Sequence, residues 1–228
     1  AEALYNEKGT APGLLFTDDG TKLFSLPGVP LEMEHLFEKY IRPNTKLVHV
    51  ETPTNPLLEL CNLEATSAIC KKAGVYLSVD NSFMSPYGQR PLDLGVDVVM
   101  QSSTKSLSGH SDILGGVLAT NDDDLDERLR FLLKATGGVP SPFDNWILLR
   151  STKTLGLRYQ KSTDNATELA TWLCKQKGLD RVLYPGLNSH PQHEIAVKQQ
   201  RSPSGDVIFG HMISIDIGSI DARDRFLE

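Results

Sequence analysis

Three short runs of β-prone residues, each closing on polar groups, constrain this chain more than any other feature. They are Lys46-Leu47-Val48-His49-Val50-Glu51, Val75-Tyr76-Leu77-Ser78-Val79 and Val96-Asp97-Val98-Val99-Met100. They are too short for helices and nearly all apolar, as strands buried on both faces are. Between the first two lies 63–73, which has helical spacing at Leu63, Ile69 and Cys70, the cap Asn62 before it and Gly74 after it. Residues 113–119 read as a fourth strand. Strands that alternate with helices in this way predict an α/β fold, a mostly parallel sheet covered by helices.

The flanking segments carry weaker patterns. Pro12-Gly13, Pro27-Gly28 and Pro30 punctuate the first thirty residues, which read as loops, and 31–40 reads as a helix. After the sheet, Asn121 is expected to cap a helix over 125–134. The three aspartates in its first turn and Arg128, Arg130 and Lys134 near its end suit the helix dipole better than a metal site. A long helical stretch is expected over 142–177, kinked at Gly156. Strands at 181–184 and 212–217 would open a smaller C-terminal α/β unit, which divides the chain into 1–178 and 179–228. The first residue is not Met, and 221–228 reads as a short amphipathic helix, so the expectation is a piece of a longer protein.

Composition narrows the function. With 23 basic and 29 acidic side chains the net charge is −6, which predicts neither nucleic-acid nor membrane partners. No apolar run approaches the roughly 20 residues of a membrane span. Three cysteines, Cys61, Cys70 and Cys174, are too few for a disulfide scaffold, and Cys61 and Cys70 read as small core residues. His190-Pro191-Gln192-His193 has metal-like spacing, but Pro191 breaks the helix that would align the pair.

Ligands of parallel α/β sheets bind beyond the carboxyl ends of the strands. Those ends deliver Glu51-Thr52-Pro53-Thr54-Asn55-Pro56, then Asp80-Asn81-Ser82, then Gln101-Ser102-Ser103-Thr104-Lys105-Ser106. Neither G-x-G-x-x-G nor G-x-x-x-x-G-K-[ST] is present, which argues against the common nucleotide motifs. A lysine flanked by hydroxyls, with an aspartate one strand away, suits pyridoxal phosphate. The lysine holds the cofactor's carbonyl carbon, the aspartate keeps its ring nitrogen protonated, and the hydroxyls take the phosphate.

The stretch from Asp97 through Gln101-Ser102-Ser103-Thr104-Lys105 to Gly109-His110-Ser111-Asp112 resembles the lysine motif of the Cys/Met-metabolism pyridoxal-phosphate enzymes. Glu51 to Pro56, Val79 to Tyr87, Gly138 to Asp144 and Tyr184 to His193 are similar to further blocks of that family, in its order. The resemblance implies a fold-type-I, aminotransferase-like architecture and a cytoplasmic lyase of transsulfuration. Such an enzyme would act on a small amino acid and form a homotetramer, a dimer of dimers. Lys105 would be the catalytic lysine and Asp80 the partner of the ring nitrogen. Ser102 and Thr104 would contact the phosphate, and Asn55 would lie near the cofactor's 3′ oxygen with Glu51 in support. No metal is implied.

Blocks around Phe83 to Tyr87, Val139 to Pro142 and Ser189 to Glu194 lean towards the γ-elimination of cystathionine to cysteine, 2-oxobutanoate and ammonia. β-Elimination and γ-synthesis are the alternatives inside the family, and a non-catalytic paralogue acting as a subunit is the alternative outside it. Ser106 stands where many members carry Tyr or Phe, Ser82 where Thr is common, and Ser151-Thr152 where Gly-Leu is usual. The family's glycine phosphate loop, its ring-stacking tyrosine and the arginine that takes the substrate carboxylate are implied to lie outside this chain.

Overall fold

A computed structural model describes residues 43–227 with their side chains and, before them, the backbone of three strands. Strands β1 (Glu2–Leu4), β2 (Gly13–Asp18), β3 (Thr21–Ser25), β4 (Leu47–Glu51), β5 (Tyr76–Asp80), β6 (Val98–Ser102) and β7 (Gly116–Ala119) form one sheet in that spatial order. The central strands β3 to β6 run parallel, and antiparallel pairs close both margins. The α/β architecture is the expected one, with the site-bearing strands β4, β5 and β6 adjacent. The first residues depart from the loop reading, because β2 and β3 pair as antiparallel neighbours. Asp19-Gly20 between two β-prone runs is the hairpin signal that the prolines outweighed. The helix expected over 31–40 lies outside the described residues.

Helix α1 (Leu63–Ala73) forms the crossover between β4 and β5. The Asn62 side chain accepts from the Ala65 N–H at 3.1 Å, and Gly74 closes the helix at φ 65°. Its Leu63 and Cys70 meet Val48, Val50, Leu77, Val79 and Val99 of the strands in one core. Both core cysteines are fully buried, and burial pushes Cys61 up to about 11 and Cys70 up to about 12.

After β5 come a short helix, α2 (Ser85–Gly88), and a 3₁₀ turn, Pro91–Leu94. Helix α3 (Asp123–Thr136) is capped by Asp122 rather than Asn121: the Asp122 carboxylate accepts from the Leu125 N–H at 2.9 Å. The long helical stretch divides into α4 (Pro142–Thr152) and α5 (Leu155–Leu173), and the break falls at Lys153 and Thr154. Gly156 is no kink. It lets Tyr87 pack close, since a Cβ there would lie 3.1 Å from that ring. Strands β8 (Arg181–Leu183) and β9 (Ser214–Asp216) pair antiparallel, the second shorter than 212–217, and helices α6 (His193–Gln199) and α7 (Ile220–Leu227) complete the chain. Among the described residues no helix is long and apolar enough to cross a membrane.

Candidate active site

The parallel register decides which strand-end side chains share a face. Glu51 lies opposite Asp80, and Asp80 opposite Met100. Ser102 follows Met100 by two, so Glu51, Asp80 and Ser102 stand on one face while Val50, Val79 and Val99 point into the core. Beyond Ser102 the chain enters an irregular turn, Ser103–Leu107, in which the Ser108 N–H donates to the Ser103 carbonyl five residues back at 3.1 Å. Lys105 interrupts this turn at φ −89°, ψ −129°, and it is exposed. Single π-type turns of this kind recur at functional sites.

Hydrogen bonds tie the strand ends together. The Asp80 carboxylate accepts from the Ser82 N–H at 2.9 Å, and the Ser82 hydroxyl accepts from the Ser102 N–H at 2.7 Å. The Thr104 hydroxyl accepts from the Gly115 N–H at 3.1 Å. The Glu51 carboxyl is held above the ordinary carboxylate range, chiefly by desolvation and then by the Asp80 charge, while the Asn55 N–H pulls it back.

A cavity of about 1110 Å³ opens beside the turn, lined by Thr104 and Lys105 together with Arg158 and Tyr159 of α5 and His211. Asp80, Ser102, Glu51 and Asn55 lie outside its lining. All six residues expected at the site thus reach one sheet edge, but only Thr104 and Lys105 reach the cavity.

Several of its neighbours carry no sequence signal. Tyr159 is buried, donates to the Phe83 carbonyl at 2.6 Å and meets the His211 ring edge-on at 5.2 Å. Burial pushes the Tyr159 hydroxyl well up and the His211 imidazole down. A chain of buried glutamines backs the strand ends. Gln199 Nε2 donates to the Cys61 carbonyl at 2.9 Å and to Gln89 Oε1 at 3.1 Å, while its Oε1 accepts from the Leu63 N–H at 3.2 Å. Gln192 Oε1 accepts from the Leu60 N–H at 2.7 Å, and Gln89 Nε2 donates to Asn81 Oδ1 at 2.8 Å. The two histidines of 190–193 part ways: His193 bonds the Pro185 carbonyl and stacks on Phe209, whereas His190 Nδ1 accepts from the Gln192 N–H.

A parallel α/β sheet that brings a lysine, a carboxylate and hydroxyls to one edge defines a lysine-centred, cofactor-binding class of site. Residues 25–228 match the family described as Cys/Met metabolism PLP-dependent enzyme, and the chain belongs to that family. It is 48% identical over 190 residues to a cystathionine gamma-lyase of Bacillus subtilis, covering 83% of this chain and 48% of that protein. It is likewise 48% identical over 175 residues to a probable cystathionine gamma-synthase of Herpetosiphon aurantiacus, covering 77% and 53%. The crystal structure of metB from Corynebacterium glutamicum superposes with a TM-score of 0.77 at 42% identity, over 84% of this chain and 47% of that one. A cystathionine gamma-lyase from Lactobacillus plantarum, complexed with L-serine, gives 0.76 at 38%, over 81% and 47%. The chain spans about half the length of the curated relatives it matches.

The donor set fits the family's cofactor in kind. One amine stands exposed on a broken turn beside a cavity, and a carboxylate oriented by Ser82 lies one strand away. Ser102 ends the strand that leads to the lysine, and Thr104 directly precedes the lysine in the turn.

Proposed function

We propose that this chain supplies the lysine, the ring-nitrogen carboxylate and part of the phosphate site of a pyridoxal-phosphate carbon–sulfur lyase. Its reaction is cystathionine plus water to cysteine, 2-oxobutanoate and ammonia. The observation that carries the reading is the delivery of Asp80 and of Ser102 through Lys105 by adjacent parallel strands to one edge, with Lys105 at the cavity. When bound, the cofactor supplies an electron sink for negative charge at the substrate's α-carbon. Lys105 would hold it covalently and move protons between the α- and β-carbons of the substrate. Asp80, its orientation set by the Ser82 N–H, would keep the ring nitrogen protonated. Ser102 and Thr104 would hold the phosphate, with Asn55 and Glu51 in support.

The gamma-lyase relatives support γ-elimination. The gamma-synthases at 44–48% identity support a second reading, in which the same site builds cystathionine. The reading extends to a cytoplasmic homotetramer and to a domain change near Gly178, where α5 has ended and β8 is about to begin. The test is to express the intact gene product carrying this chain with pyridoxal phosphate and feed it cystathionine. Release of cysteine with 2-oxobutanoate is expected. Homocysteine would assign β-cleavage, net formation of cystathionine would assign the synthase reaction, and a colourless, inert protein would defeat the proposal.

A further inference from the structure

We propose that Arg158 is a positioning residue for Lys105, gripping the turn that carries the lysine and thereby setting where its amine can stand. The proposal rests on Lys105 being the cofactor lysine. Three consecutive carbonyls follow from the irregular turn, and each has its own partner. The Lys105 carbonyl accepts from the Gly109 N–H at 2.8 Å. The Ser106 carbonyl accepts from Arg158 Nη1 at 2.8 Å, and the Leu107 carbonyl from Arg158 Nη2 at 3.2 Å. The planar guanidinium thus does for this turn what a regular helix would do with backbone N–H groups, and its fixed fork defines the spacing of two adjacent peptides.

The arginine is itself anchored at the break between α4 and α5. Nη2 also donates to the Ser151 carbonyl at 2.9 Å and Nε to the Thr154 hydroxyl at 3.1 Å. Gly109 is shaped to this contact. Its φ is +71°, and a Cβ there would lie 1.8 Å from Arg158 Nη1. Every acceptor on the guanidinium is neutral, and among the described residues Arg158 makes no ion pair with a carboxylate. It lines the same cavity as Lys105. The break that divides the long helical stretch is therefore the anchor point of the lysine turn.

The test uses R158K, R158M and G109A in the intact gene product, with K105A as a control. R158K keeps the charge and loses the fork; G109A keeps the arginine and fills its place. We expect all three to weaken pyridoxal-phosphate binding by about tenfold or more, and to speed amide exchange at 103–109 of the cofactor-free protein by a similar factor. Exchange in β4 and β5 and the midpoint of thermal unfolding should stay near wild type. Wild-type affinity in R158K overturns the proposal, even if exchange quickens. So does an affinity loss that comes with general loss of protection across the sheet, which marks a merely structural role. K105A reports on the functional reading separately. If it retains the wild-type cofactor absorbance and the wild type yields no borohydride-reduced adduct on Lys105, that reading fails, whatever exchange shows at the turn.

Discussion

Asp80 closes β5 with its carboxylate on the face it shares with Glu51, one strand from the segment that carries Lys105. On the proposed role, removing that charge would remove the electrostatic support of the cofactor ring, so D80A should lower turnover of the intact gene product by about 10²–10³-fold. Among the described residues Ser106 is hydrogen-bonded through its carbonyl and not through its side chain, so S106Y should cost less than about tenfold in kcat/KM. Equal losses in the two variants would remove Asp80 from the chemistry. Glu51 offers a test in pH. Partial desolvation at the strand end and the Asp80 charge raise its carboxyl above the unfolded value, so the folded chain holds that proton the more tightly. Its contribution to stability is present at low pH and is lost as pH rises through the raised value. E51Q should therefore raise the unfolding midpoint at about pH 7 and change it little at about pH 4; the reverse order would contradict the assignment. The thiols form a third case. Cys61 and Cys70 are buried and held protonated, while Cys174 is exposed, so a thiol reagent should label Cys174 alone in the native chain.

At the scale of elements, α1 is the piece most fully legible in the sequence. Asn62, the apolar spacing and Gly74 are local signals, and each does in the structure what its chemistry predicts. N62A should cost about 1 kcal/mol, read as a lower urea midpoint at unchanged m. The strand ends were legible for a related reason: in a parallel sheet, residues that follow apolar runs must meet at one edge. What stayed hidden depends on distant partners. At the break before Leu155, Thr154 and Ser151 meet Arg158, which in turn meets carbonyls about fifty positions earlier. Gln192 and Gln199 look like surface residues in the sequence and are buried, because groups they satisfy lie 110 to 138 residues away. Asn121 and Asp122 are both good caps, and nothing local chooses between them.

Across the whole molecule, apolar burial is uneven. One core joins α1 to the parallel strands, whereas α3 buries none of its residues. Leu118 of β7, Phe131 of α3 and Phe143, Trp146 and Leu149 of α4 are each more than half exposed. Exposed apolar side chains in this number are adhesive in water. The 228-residue chain on its own should therefore bind an apolar dye and associate with itself, and the pair L118K and F131E should lower both without altering far-UV circular dichroism. The buried glutamines have a consequence of another kind, for the order in which the chain is made. Leu60, Cys61 and Leu63 leave the ribosome long before Gln192 and Gln199 exist to bond them. The chain from Leu60 to Gln192, a separation of 132 positions, takes roughly 7–26 s to synthesise at ordinary elongation rates. For that interval water must serve the peptide groups behind β4, so the site-bearing edge of the nascent sheet matures only when α6 arrives.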